Sequence, residues 1–140
     1  MGNIFNPDFQ EFLNALNKAK VKYILVGEYS VIFHGFPRTT GDLDIFVDVS
    51  EDNYSKITQA FDNFKMPLFD MTKESFLNNS KVNVYTFDRP PVCIEILKEI
   101  SGISFADVYQ NALETVFEDI PMKIIQLNDL LKNKKESGRA

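Results

Sequence analysis

The sequence predicts an α/β fold of the α+β kind, a mixed β-sheet covered by helices. Three observations lead there. Short apolar runs of strand length stand at Tyr23–Val26 and Val92–Leu97. Between the strand candidates lie segments whose apolar residues recur at helical spacing. The two kinds of segment do not alternate in a regular βαβ repeat, so a mixed sheet fits better than a parallel one.

The elements follow in order. Asn6-Pro7-Asp8 is a helix start, with a capping amide and proline in the first turn, and Phe9, Phe12, Leu13 and Leu16 carry the helix to about Lys20. The run from Tyr23 to Val26 is a buried strand ending at Gly27, and residues 28–36 form a short helix closed by His34-Gly35-Phe36-Pro37. Residues 42–49 alternate acid with apolar and form a second strand. Ser50 caps the next helix, whose buried stripe is Tyr54, Ile57, Phe61 and Phe64. A shorter helix covers 72–77. Strands at 82–87 and 92–97 flank Arg89-Pro90-Pro91. Gly102 turns the chain into a helix over 105–112, residues 116–125 are a strand pair pivoting near 119–121, and a last helix runs from Asn128 into the lysines.

Composition narrows the class. At 140 residues, 44% hydrophobic and 25% charged, the chain suits a single globular domain over 1–140. No stretch approaches the roughly 18 apolar residues of a membrane helix, and the first residues lack a signal-peptide pattern, so the expected location is cytoplasmic. One cysteine, Cys93, and one histidine, His34, cannot build a Cys/His zinc site, so any metal is held by oxygen, which selects Mg²⁺ or Mn²⁺. The net charge of −5 and pI near 4.9 disfavour general nucleic-acid binding. Lys132, Lys134, Lys135 and Arg139 are a solvated last turn or a local basic patch.

The chemistry concentrates in Asp42-Leu43-Asp44-Ile45. On a strand Asp42 and Asp44 share one face, about 7 Å apart at the backbone, and Leu43, Ile45 and Val47 take the other. Their repulsion is on the order of 2 kcal/mol at an effective dielectric of about 20. Divalent ions between them would relieve it, and paired ions about 3.5–4 Å apart serve in-line phosphoryl chemistry. The plainer reading is a wet strand face that carries acids, but Phe46 on that same face fits a purely solvated surface poorly. Glu95 interrupts the apolar strand Val92–Leu97, where a buried lone carboxylate costs several kcal/mol. Either a metal shared with the aspartates or an ion pair with a lysine or arginine resolves that cost. Gly27, after a strand and before a helix, is an ordinary tight turn or a place where amides meet phosphate.

Taken together, these pieces resemble the polymerase-β-like nucleotidyltransferases, and within them the small bacterial AbiEii-like branch. The matching residues are the strand and Gly27, then His34-Gly35, Arg38-Thr39-Thr40, Asp42-Leu43-Asp44-Ile45, Ile94-Glu95-Ile96-Leu97 and Gly102-Ile103-Ser104-Phe105. The likeness covers most of 23–140. It implies a minimal fold of that family and a Mg²⁺-dependent enzyme with two ions, Mn²⁺ being able to substitute. The reaction would move a nucleoside monophosphate from a nucleoside triphosphate to a hydroxyl acceptor. Asp42, Asp44 and Glu95 would be both catalytic and metal-binding, and Gly27, Glu28, Ser30, Arg38 and Thr40 would line the nucleotide. The likeness also brings to mind a protein partner or antitoxin, and a further C-terminal helix beyond residue 140.

Glu28 stands where the family carries glycine or serine, and a carboxylate facing the site would repel a triphosphate. This opens the alternative of a catalytically impaired nucleotide-binding or protein-interaction relative. RNA ends, protein side chains and small molecules are all compatible acceptors. The acidic pI favours a compact acceptor or a partner that brings positive charge.

Overall fold

A computed structural model describes residues 7–26, 42–89, 92–100, 103–117, 119–126, 129 and 131. Within them, four helices and six strands follow the chain. In order they are α1 (Pro7–Lys18), β1 (Tyr23–Val26), β2 (Asp42–Val47), α2 (Glu51–Phe64) and α3 (Lys73–Asn78). The second half adds β3 (Val84–Arg89), β4 (Val92–Leu97), α4 (Phe105–Asn111), β5 (Leu113–Phe117) and β6 (Ile120–Ile124). The strands form one mixed sheet in the order β3-β4-β2-β1-β6-β5. The parallel neighbours are β2 with β4 and β1 with β6; the other adjacent pairs run antiparallel. No helix among the described residues is long and apolar enough to cross a membrane.

One face of the sheet carries the main core. Alternation sends Leu43, Ile45 and Val47 of β2, together with Ile94 and Ile96 of β4, into it, all essentially inaccessible to solvent. Helices α1 and α2 close over them through an aromatic chain. Phe12 meets Phe61 and Phe64 edge-on, with ring centroids at 5.6 and 5.1 Å, and Phe61 meets Phe87 of β3 at 4.8 Å. Such edge-to-face pairs add to the stabilisation from buried area.

Local signals in the sequence account for the helix ends. Ser50 caps α2 by accepting from the Asn53 amide, and Thr72 and Ser104 do the same for α3 and α4. Lys65 ends α2 in the left-handed conformation, φ 59°, a place glycine usually fills, with the Met66 amide donating back to the Phe61 carbonyl. Helix α1 stops at Lys18 instead of Lys20, because Lys20 turns to φ 62° and the Val21 amide closes onto Leu16.

Three strands differ from the sequence expectation. Strand β2 ends at Val47, since the Asp48 carbonyl is taken by the side chain of Asn53. Strand β3 spans 84–89 because Val82 closes a turn onto Asn79 and pairing with β4 continues to Arg89. The terminal hairpin starts earlier, at Leu113, and Pro121 lies inside β6 opposite Val116. That proline is tolerated because its carbonyl points to Asn17, which donates to it at 2.6 Å. Its nitrogen shares that side of the strand, away from β5, so no bond of the β5–β6 ladder is lost. The expected helix at 28–36 lies outside the described residues, as does most of the last one, of which Asp129 and Leu131 are described as helical.

Asn53 fastens α2 to the edge of the core. It is 1% exposed. Its Oδ1 accepts from the Lys22 amide at 2.8 Å, and its Nδ2 donates to the carbonyls of Lys22 and Asp48 at 3.1 and 2.8 Å. Truncation would leave these backbone groups without their partner. Asn53→Ala is expected to lower the unfolding free energy by about 2–3 kcal/mol, measured by urea denaturation. A loss under about half a kcal/mol would mean that water replaces the side chain.

Candidate active site

The other face of the sheet is divided by register. Because β2 and β4 are parallel with Asp44 opposite Glu95, the even-numbered residues of β2 share a face with the odd-numbered residues of β4. The pairings of β2 with β1 and β4 with β3 extend this into rows across the sheet. Val84, Leu97, Phe46 and Ile24 form one row, Thr86, Glu95, Asp44 and Val26 the next, and Asp88, Cys93 and Asp42 the third.

Helix α4 covers the apolar row. Phe46 is 1% exposed and meets Phe105 edge-on at 5.1 Å, while Val108, Ile24, Val26 and Ile125 complete a second, smaller core. Phe46 therefore packs under α4, which explains an aromatic on the acid face without reference to any ligand. The acids begin where this helix stops covering the sheet.

Asp44 and Glu95 sit on adjacent strands at the spacing of directly paired residues, about 5 Å between backbones. Asp44 is half-buried and its Oδ1 is shielded from solvent. Glu95 is also half-buried, which corrects the expectation of a buried strand: Ile94 and Ile96 are inaccessible, while Cys93, Glu95 and Leu97 are partly open. Its desolvation cost is accordingly smaller than a fully buried carboxylate would carry. Among the described residues no lysine or arginine forms an ion pair with Glu95; the ion pairs seen there join Lys56 to Asp52, Lys73 to Glu51 and Lys123 to Glu114.

Asp42 lies on the same face by alternation, opposite Cys93, but its side chain lies outside the described residues. Gly27, Glu28, Ser30, Arg38 and Thr40 lie wholly outside them, as does His34. Residue 27 follows directly from Val26, whose cross-strand partner is Asp44. Among the described residues, no three His, Cys, Asp or Glu side chains gather closely enough to hold a metal ion. The pair Asp44 and Glu95 offers oxygen donors of the kind a hard divalent ion takes.

The sequence reading missed Asp88 and Thr86, which β3 brings to this face beside Cys93 and Glu95. Alternation along β3 carried the signal, but only the antiparallel register with β4 shows which face they join. A larger cavity of about 390 Å³ lies at the other end of β1, near Asn17, Tyr23 and Tyr109. Its charged groups satisfy each other, Lys123 reaching Glu114 at 3.3 Å while lying over the Tyr109 ring. Burial pushes the Tyr23 hydroxyl well above the ordinary tyrosine range, partly offset by its bond to Asn17 at 2.9 Å. It therefore stays protonated as a structural donor.

No known family model matches this sequence, and no curated protein matches it either.

Two carboxylates on directly paired strand positions repel when no cation is present. In EDTA at neutral pH, Glu95→Gln is expected to raise the unfolding free energy by about 1 kcal/mol, read from urea denaturation. A fall of similar size would mean that a cation of the chain itself compensates Glu95.

Proposed function

We propose that the chain is a Mg²⁺-dependent nucleotidyltransferase of the polymerase-β-like kind, moving a nucleoside monophosphate from a nucleoside triphosphate to a hydroxyl acceptor. The observation that carries this reading is the β2–β4 register, in which Asp44 and Glu95, far apart in the chain, are direct neighbours on one face. Asp42 lies one pleat along the same strand and face. An acid pair with a solvent-shielded carboxylate oxygen and an oxygen-only donor set fits Mg²⁺ or Mn²⁺.

In this reading Asp42 and Asp44 hold the ions and Glu95 completes the site. When bound, two such ions neutralise the charge of the transferring phosphoryl group and align the attacking and leaving oxygens. Glu95 would accept the proton of the acceptor hydroxyl and pass it to water. The backbone after Val26, beginning at Gly27, would offer amides to the phosphates, with Ser30 and Thr40 adding hydroxyls and Arg38 neutralising charge. Glu28 would serve at the start of the following helix, where a carboxylate is favourable, if it turns away from the phosphates.

Titration of the full chain with ATP, GTP, CTP and UTP in a calorimeter, with and without Mg²⁺, tests this. Binding of at least one nucleotide is expected only with Mg²⁺. It should weaken at least about tenfold in Asp44→Ala and in Asp42→Ala, since even outer-shell changes at metal sites cost that much. Pyrophosphate release in the presence of acceptor completes the case. Metal-dependent binding without release would identify a catalytically impaired nucleotide-binding relative; no metal-dependent binding at all would defeat the enzyme reading.

A further inference from the structure

Strand β3 ends the sheet on the β4 side, and among the described residues nothing pairs with its outer edge. The Lys98 amide donates to the Asn83 carbonyl at 2.8 Å, which makes these two a hydrogen-bonded pair of the antiparallel ladder. Alternation from there turns the backbone groups of Tyr85 and Phe87 towards β4 and those of Val84 and Thr86 outwards. Sheet edges are commonly blunted by charge, proline or a bulge. Residues 84–87 read Val-Tyr-Thr-Phe, and their pairing with β4 runs without a break. The opposite edge strand, β5, differs in carrying Glu114, which is ion-paired to Lys123.

A groove lies against this open edge. A cavity of about 220 Å³ is lined by Val84 and Thr86, which take one face of the sheet, and by Tyr85 and Phe87, which take the other. A space that touches four consecutive residues of a strand follows its edge and not one of its faces. Phe69 and Asp70 also line it. Phe69 is 68% exposed, with its ring centroid 6.4 Å from that of Phe87, and its backbone takes φ 51°, rare for a bulky side chain. A strained backbone that presents an exposed ring points to a contact made outside the free chain. Asp70 is exposed as well, and among the described residues no lysine or arginine pairs with it.

We infer that the β3 edge and the Phe69 loop form a docking site for an extended segment of a partner protein, which adds to the sheet as a further strand. The outward amides and carbonyls of Val84 and Thr86 supply the main-chain bonds of such an addition, and the groove supplies its selectivity. Phe69 and the half-exposed Val84 take an apolar side chain, and Asp70 takes a lysine or arginine, so the segment alternates apolar with basic residues. The volume falls below the roughly 300–1,000 Å³ of small-molecule sites, which suits a narrow segment of chain. A second copy paired edge to edge would bring another net charge of −5 and another Asp70 to the same place, which disfavours it as the occupant. Docking here requires neither a metal nor a nucleotide and holds whether or not the chain transfers one.

The probe is a dye-labelled heptapeptide alternating valine and lysine, titrated into the full chain by fluorescence anisotropy. Binding is expected, with amide hydrogen exchange slowed at Val84 and Thr86, and the valine–glutamate counterpart should not bind. Two further versions carry N-methyl groups on every valine or on every lysine. Alternate amides of a strand point to opposite sides, so one version should lose binding and the other keep it. Thr86→Pro removes an outward amide without touching the β3–β4 ladder and should weaken binding about fivefold. Phe69→Gly removes the ring and relaxes the left-handed backbone, so binding should weaken by a similar factor while the melting temperature does not fall. No binding, an equal response to both N-methylated peptides, or full affinity in both variants overturns the proposal. Dimerisation of the chain in sedimentation, abolished by Thr86→Pro, would assign the edge to a second copy and overturn the choice of partner.

Discussion

Everything about the candidate site depends on how β2 lies against β4. These two strands are the middle of the β3-β4-β2-β1 half of the sheet, they run parallel, and they pair Asp44 with Glu95. A slip of β4 by one residue would send Glu95 to the opposite face, into the core in place of Ile94 and Ile96. The register is fixed by that same core: Leu43, Ile45, Ile94 and Ile96 are all fully buried beneath the helices, and such a slip would turn two of them, Ile94 and Ile96, out of it. At about 1.5–3 kcal/mol for each, that cost far exceeds the repulsion between two half-exposed carboxylates. Packing on one face thus holds like charges together on the other.

The second core decides how far the acids extend. Helix α4 covers the row containing Phe46 and Leu97, while in the next row Asp44 and Glu95 are half-buried. The face is therefore part hydrophobic wedge and part polar shelf, with the boundary falling between Phe46 and Asp44. Towards β3, Thr86 and Asp88 continue the same face beside Glu95 and Cys93.

Much of this could be read in the sequence where local chemistry dictates structure. The Ser50 cap gave the start of the second helix and the turn at Gly102 that of the fourth, and the aliphatic-acid alternation of 42–47 gave the two faces of β2. Strand β4 fell on its six residues because the apolar run is bounded by Pro91 and Lys98. Long-range facts were not legible. Glu95 was expected to be buried because four of its five strand neighbours are aliphatic, yet among the described residues α4 packs on that face at Leu97 and Phe46 and Glu95 is left half-buried. Asn53 gave no signal, since an asparagine in the first turn of a helix is ordinary until its partners Lys22 and Asp48 are known. Pro121 argued for a turn, and only the bond from Asn17 shows why a strand accepts it. Asp88 and Thr86 needed the pairing of β3 with β4 before they could be assigned to a face.

The central claim is that Asp42, Asp44 and Glu95 together cage divalent ions beside a nucleotide. Crystals soaked with Mn²⁺ and a non-hydrolysable triphosphate, measured at the manganese absorption edge, address it directly. Anomalous peaks within about 2.5 Å of carboxylate oxygens of both Asp44 and Glu95 are the predicted result. Strong peaks confined to other surface carboxylates, with nothing between β2 and β4, would contradict it.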